Sequence, residues 1–240
     1  MTLCAVSLNL AKEPDPDTVA NVICATPRLR DADLFLFQEV RHEKGKASVA
    51  DEVGHHMGHS VSFAAATDAD DQGLAIVSRY PILDTKIQPL KACNLRFRCR
   101  NRFAMAVTVS TPLGGLRIWN VHLDTRINAQ ERLQQLQPVL EDAARYTGPQ
   151  LIGGDFNTNN LRWLGNVFPL PLGPAHSAAL RTVMRQHNFE SPFPDELVTC
   201  PPIRRHLDWI FVSGLETLDA GAEPVPFSDH RAIWVRAQIG

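Results

Sequence analysis

Two kinds of apolar pattern alternate along the chain. Short runs rich in β-branched and aromatic residues read as strands, and apolar positions recurring every three or four residues read as helices. Thr2–Leu10 predicts a first strand with Asn9 at its end. Asp15-Pro16-Asp17 opens a helix with an aspartate cap and proline in the first turn, and Val19, Val22 and Ile23 form its buried stripe. Pro27 stops that helix near Thr26. Leu34-Phe35-Leu36-Phe37 is apolar without alternation, which suits a central strand covered on both faces, and Gln38-Glu39 follows at its rim. A helix is expected over Gly45–Met57.

Strands then crowd the middle of the chain: Val61–Ala65, Leu74–Ser78, Ile82–Leu90, Phe103–Thr111 and Leu116–His122. Asp68–Gly73 reads as a turn, and the last two strands as a hairpin around Pro112-Leu113-Gly114-Gly115. Leu133, Leu136, Leu140 and Ala144 place a helix over Asn128–Tyr146, with a kink expected at Pro138. Pro149–Ile152 is a short buried strand, after which Gly153-Gly154 is expected to turn. The apolar, proline-rich stretch from Trp163 to Leu172 reads as a packed surface loop; the functional alternative is a rim that meets substrate or lipid. His176–His187 is a helix with Asn188 as a left-handed cap. Leu207–Val212 and Ala232–Ala237 are the last strands. No repeat or linker interrupts the pattern, so one domain is expected over residues 1–240.

Composition narrows the class. Of 240 residues, 44% are hydrophobic and 7% aromatic, as in a globular protein with a sizeable core. No apolar run reaches the roughly eighteen residues of a membrane span. The N-terminus lacks a signal peptide's basic flank. Cys4, Cys24, Cys93, Cys99 and Cys200 are odd in number and scattered, which implies reduced thiols and a cytoplasmic setting. Net charge is −2, yet Arg79–Arg102 holds seven bases and one acid, a local +6 that leaves −8 elsewhere. Such a stretch suits an anionic substrate, nucleic acid first. The competing reading is an exposed strand face, because Arg96, Arg98, Arg100 and Arg102 alternate.

Candidate chemistry gathers around Gly153-Gly154-Asp155-Phe156-Asn157-Thr158. A carboxylate and a carboxamide two residues apart at a strand end suit a hydrolase, and also an ordinary Asx turn. A calcium loop is excluded, since Asn160 and Asn166 stand where glycine and glutamate are required. His55 and His59 have a zinc pair's spacing but no third ligand nearby, so they read as a solvated helix end. Asn9, Glu39, His122, Asp155 with Asn157, and Asp229 with His230 each lie beside a strand end, and Asp208 lies inside a strand, where it must be paired. Two face-to-face sheets would bring these rims together. Acids, imidazoles and carboxamides in one place suit phosphate-ester hydrolysis with magnesium, or manganese in its stead.

The order of Asn9, Gln38-Glu39, Ser78-Arg79-Tyr80-Pro81-Ile82, Asn120-Val121-His122-Leu123, Gly154-Asp155-Phe156-Asn157, Leu207-Asp208-Trp209-Ile210-Phe211 and Ser228-Asp229-His230 resembles the endonuclease/exonuclease/phosphatase superfamily. The resemblance spans nearly the whole chain. It implies an α/β fold, a four-layer α/β/β/α sandwich of two packed mixed sheets flanked by helices, as in deoxyribonuclease I. It implies metal ligation by Glu39 with Asn9 and Asp229. It assigns catalysis to Asp155, which positions the attacking water, with Asn157 on a phosphate oxygen, His230 on the scissile phosphate backed by Asp208, and His122 assisting the leaving group. Arg79, Arg100 and Arg102 are the expected substrate contacts. One departure stands out: the family's deoxyribonuclease branch has an acid supporting the leaving-group histidine, and Arg100-Asn101-Arg102-Phe103-Ala104 offers none. The implied activity is a Mg2+-dependent phosphodiesterase or nuclease. A lipid or small-molecule phosphoesterase and a non-catalytic binding module are the alternatives.

Overall fold

A computed structural model describes residues 2–66, 72–93, 102–112, 114–171 and 176–239. The first half runs β1 (Thr2–Asn9), α1 (Pro16–Ala25), α2 (Pro27–Arg30), β2 (Leu34–Arg41), α3 (Val49–Met57), β3 (Ser60–Ala65), β4 (Gln72–Ser78) and β5 (Ile82–Pro89). Then come β6 (Phe103–Thr111), β7 (Gly114–His122), α4 (Ala129–Ala143), β8 (Gln150–Asp155), β9 (Arg162–Leu164) and β10 (Phe168–Leu170). The chain closes with α5 (His176–Gln186), β11 (Asp208–Ser213), β12 (Leu215–Glu223) and β13 (Ala232–Ile239).

Six strands form one sheet in the order β12-β13-β1-β2-β4-β3, and five form a second in the order β11-β8-β7-β6-β5. Each sheet is mixed, with parallel pairs β1–β2 and β7–β8 among antiparallel neighbours. Alternation sorts the side chains. Leu34 and Leu36 of β2 face the core between the sheets, whereas Phe35 and Phe37 face a second core with Val19, Ile23 and Val53 of α1 and α3. Leu136, Val139 and Leu140 of α4 and Leu180 and Met184 of α5 cover the outer face of the second sheet. The result is the expected four-layer α/β/β/α sandwich.

Local chemistry accounts for most boundaries. Asp15 accepts from the amides of Asp17 and Thr18 and starts α1 at Pro16. Ser48 and Asp51 form a capping box, so α3 begins at Val49 rather than Gly45. Helix α4 runs unbroken through Pro138. The expected turn at Gly153-Gly154 is absent: β8 continues to Asp155. Gly154 is required for another reason. It sits at φ 141°, and a Cβ there would lie 2.0 Å from the Val121 carbonyl oxygen of β7.

Two segments depart from what the apolar pattern assigns. Residues 215–223, to which it assigns no element, form β12, an edge strand paired to β13 along its length. The stretch after Asn160 is not a packed loop. It forms the ribbon β9–β10, which turns at Gly165 and Asn166, both at positive φ, and leaves Leu164, Phe168 and Leu170 exposed. Of the predicted Asp68–Gly73 turn, residues 67–71 lie outside the described residues, while Gln72 and Gly73 begin β4.

Candidate active site

Strand register sets three reactive side chains abreast at one end of the second sheet. The parallel pair β7–β8 places His122 opposite Asp155, and the antiparallel pair β8–β11 places Asp208 opposite Asp155. The first sheet meets them from across the sandwich. Asn9, paired with Gln38 where β1 ends and its pairing with β2 stops, donates its Nδ2 to Asp155 Oδ2 at 3.3 Å.

Glu39 arrives through a break in the ladder. The register of β2 on β4 shifts between Phe37 and Val40, and Glu39 takes φ 52°. A left-handed residue with a side chain costs about 1–3 kcal/mol and persists where its surroundings enforce it. Those surroundings are a buried polar bridge between the sheets. Asn120 of β7 donates its Nδ2 to the carbonyls of Phe37 and Ala75, both at 2.9 Å, and its Oδ1 accepts from Gln38 Nε2 at 2.8 Å. The bulge turns Glu39 toward the opening, with its side chain 23% exposed. Glu39 Oε1 lies 4.0 Å and Asp155 Oδ2 3.5 Å from His122 Nε2.

Asp155 is buried, and its Oδ1 accepts the amide of Asn157 at 2.9 Å. Burial and then the Asp208 carboxylate push its pKa up to about 7, against the pull of His230 and the Asn157 amide. Asn157 is also left-handed, at φ 52°, and anchors its carboxamide on the Leu123 carbonyl at 2.9 Å. Fully buried Asp208 accepts from Thr199 Oγ1 at 2.6 Å and holds His230 Nδ1 at 2.8 Å. Burial alone would depress His230; the Asp208 charge and hydrogen bond outweigh it and push the imidazole up to about 10. Ser228 accepts the His230 amide and donates to the Asn9 carbonyl, which ties the last loop to β1.

The donors suit a hard divalent cation. Three carboxylates, Glu39, Asp155 and Asp208, meet near a protonated His230, and burial first, then the neighbouring negative charge, keeps Asp155 raised. Asp155, Asp208 and His230 present ligand atoms within 4.8 Å of one another. Asp208 and His230 hold each other, though, so the oxygens open to an ion are those of Glu39 and Asp155, with Asn9 alongside. Asp208 Oδ1 is buried with no hydrogen-bond partner among the described residues. An all-oxygen set of this kind favours magnesium or manganese.

The remaining predicted residues are placed elsewhere. Asp229 is exposed, and its carboxylate groups with Cys200 and His230. Arg79 follows Ser78, which pairs with Leu34 at the far end of β2 from Glu39, and its Nη1 lies 3.1 Å from Asp33. It is remote from the site. Arg102 is at the rim just past His122, yet its Nε binds Asp124 at 3.2 Å in a nearly closed ion pair. Arg96, Arg98 and Arg100 lie outside the described residues. Lys86 and Lys91 are likewise engaged, by Asp142 and Gln134. The described part of the basic stretch is therefore committed to intramolecular partners.

Three contributors escaped sequence reading. Asn120 had a signal, a carboxamide inside an apolar strand. Arg132 had one too, standing on the apolar face of α4; buried, it donates to the carbonyls of Asp124, Phe156 and Ile127 and braces the loops beyond His122 and Asp155. Thr199, which orients Asp208, gave none.

The model of the Endonuclease/Exonuclease/phosphatase family matches residues 6–230. No curated protein sequence matches. Among solved structures, an endonuclease/exonuclease/phosphatase from Beutenbergia cavernae is 18% identical with a TM-score of 0.75, over 100% of this chain and 72% of that one. The human Nocturnin catalytic domain with bound sulfate is 16% identical with a TM-score of 0.73, over 100% and 95%. ANGEL2, a 2′,3′-cyclic phosphatase in complex with adenosine-2′,3′-vanadate, is 15% identical with a TM-score of 0.71, over 99% and 95%.

Proposed function

The chain belongs to the endonuclease/exonuclease/phosphatase family, and from that premise we propose that it is a Mg2+-dependent phosphodiesterase that works by in-line attack of water. The observation that carries this reading is the convergence of Asp155 with His122, Asn9 and the Asp208–His230 pair at one end of the sandwich. Glu39, Asn9 and Asp155 would hold the metal ion, with Mn2+ as a substitute, and a bound ion would supply charge neutralisation on the phosphate. Asp229 is exposed on the flank of His230 and is at most an outer ligand.

Asp155 holds the attacking water and takes its proton. His230, kept protonated by Asp208, places positive charge on a phosphate oxygen. The Asn157 carboxamide holds another oxygen. His122 stands on the opposite side of Asp155 from Asp208 and delivers a proton to the leaving oxygen.

The substrate is a phosphodiester, and nucleic acid is the first class to test. One observation favours a lipid instead: the ribbon β9–β10 leaves Phe168 68% exposed, only eleven residues after Asn157. The four described cysteines are free thiols, which supports a reducing, cytoplasmic setting. Among the described residues no helix is long and apolar enough to cross a membrane.

The test is hydrolysis of plasmid DNA, a 2′,3′-cyclic nucleotide, a diester dye and sphingomyelin, each with magnesium and with chelator. Wild type should turn over one class only with the metal, and Asp155→Ala should lose about 10²–10⁴-fold of that rate. Turnover of all four at chelator-independent background rates, by folded protein, would refute the assignment.

A further inference from the structure

Cys200 lies beside the candidate active site with no part in the chemistry assigned there. It is 3% exposed and sits one residue after Thr199, whose hydroxyl orients Asp208. Its thiol, the Asp229 carboxylate and the His230 imidazole present ligand atoms within 4.8 Å of one another. These three donors differ in kind from the all-oxygen set around Glu39. A thiolate beside an imidazole selects zinc or cadmium over magnesium, while the carboxylate serves either kind of ion.

We propose that Cys200, Asp229 and His230 form an inhibitory site for a thiophilic divalent cation, Zn2+ or Cd2+, distinct from the Mg2+ site. As regulation of the same centre, this rests on the functional reading above. Metal–ligand distances of about 2.0–2.3 Å put tetrahedral ligands about 3.3–3.6 Å apart. The ligand atoms stand no more than 4.8 Å apart, so each gap closes by at most about 1.5 Å, and the exposed Asp229 side chain has room to move. Cys200 and His230 are already held, Cys200 in a bridge with Arg205 and His230 by Asp208. Asp208 occupies Nδ1 of His230 and leaves Nε2 as the open nitrogen. A solvent molecule completes four-coordination.

Binding is an exchange of protons for the ion. The thiol loses its proton to solvent, Nε2 loses the proton it carries in the imidazolium, and no electron moves. The cost of expelling the Cys200 proton from a buried, acid-flanked thiol makes binding tighten with rising pH. Inhibition follows directly, because the ion takes the nitrogen and the positive charge that His230 would offer the phosphate. Excess Mg2+ does not relieve it, since the two ions use different donors.

The experiment compares wild type with Cys200→Ser and Cys200→Ala, two small replacements at a buried position, by two readouts. First, Co2+ is added as a spectroscopic stand-in for Zn2+. Wild type should develop a thiolate-to-cobalt charge-transfer band that Zn2+ abolishes and both variants lack. Second, Zn2+ inhibition is measured at fixed and at excess Mg2+. Wild type should be inhibited regardless of Mg2+, and both variants, retaining the Mg2+-dependent rate, should need at least tenfold more Zn2+. A band that persists in the variants, or its absence from wild type, overturns the site. So does inhibition that is equal in all three proteins or relieved by Mg2+, which would place Zn2+ at Glu39 and Asp155. The cobalt band is read without any substrate, so failure of the phosphodiesterase reading and failure of this site remain separate results.

Discussion

Asp208 shows how one buried acid governs a neighbour. It touches no solvent and spends Oδ2 on Thr199 and on His230. A histidine raised from its ordinary 6.5 to about 10 adds stability that is full below pH 6.5 and is lost as pH rises through 10. Its charge likewise persists across the neutral range, and activity that depends on it should fall only on the far alkaline side. Asp208→Asn removes the charge that most favours the cation and leaves burial, which opposes it. The variant's alkaline limb should move below neutral pH, and its kcat at pH 8 should fall by about 10²–10⁴-fold. A pH–rate profile of the two proteins with magnesium checks this; an unmoved alkaline limb would remove His230 from that role.

At the scale of elements, the bulge in β2 matters most. It presents Glu39, and it survives because Asn120 of the opposite sheet takes up the Phe37 and Ala75 carbonyls. Asn120→Ala strands two buried acceptors, at about 1–3 kcal/mol each. Urea unfolding should show a loss of about 2–5 kcal/mol, and Mg2+ affinity should weaken beyond what a purely global destabilisation would give, because Glu39 is no longer fixed. The same elements show what a linear sequence reveals. The double-sided run Leu34–Phe37 and the motif around Asp155 were legible, since burial and turn chemistry are local properties. The bulge was not, because it depends on a carboxamide more than eighty residues away. Strand β12 was missed because an edge strand alternates weakly and carries Gly, Ala, Asp and Glu. Arg79 and Arg102 of the basic stretch looked available because their partners, Asp33 and Asp124, are brought to them only by folding.

For the molecule as a whole, the two sheets close on a cluster of like charges. Asp155, raised from 3.8 to about 7, contributes stability that is present below pH 3.8 and is lost as pH rises through 7. His176 and His206, pushed down to about 4 by burial, act in the opposite sense: their contribution is full above 6.5 and is lost as pH falls toward 4. The stability profile of the metal-free protein is therefore a sum of opposed slopes. A difference between two proteins isolates one of them. In chelator at pH 8, Asp155→Asn should melt higher than wild type, and the gap should vanish near pH 4. Magnesium should reverse the order, because the cation compensates the carboxylates only where they exist. At about 100 times its Kd, Mg2+ adds about 2.7 kcal/mol, and at about 2–4 °C per kcal/mol in a chain of this size the wild-type Tm should rise by about 5–10 °C. Asp155→Asn and Glu39→Gln should respond far less. A wild-type Tm indifferent to magnesium, beside an Asp155→Asn variant that stays the more stable with or without it, would mean that protonation rather than a cation balances the cluster.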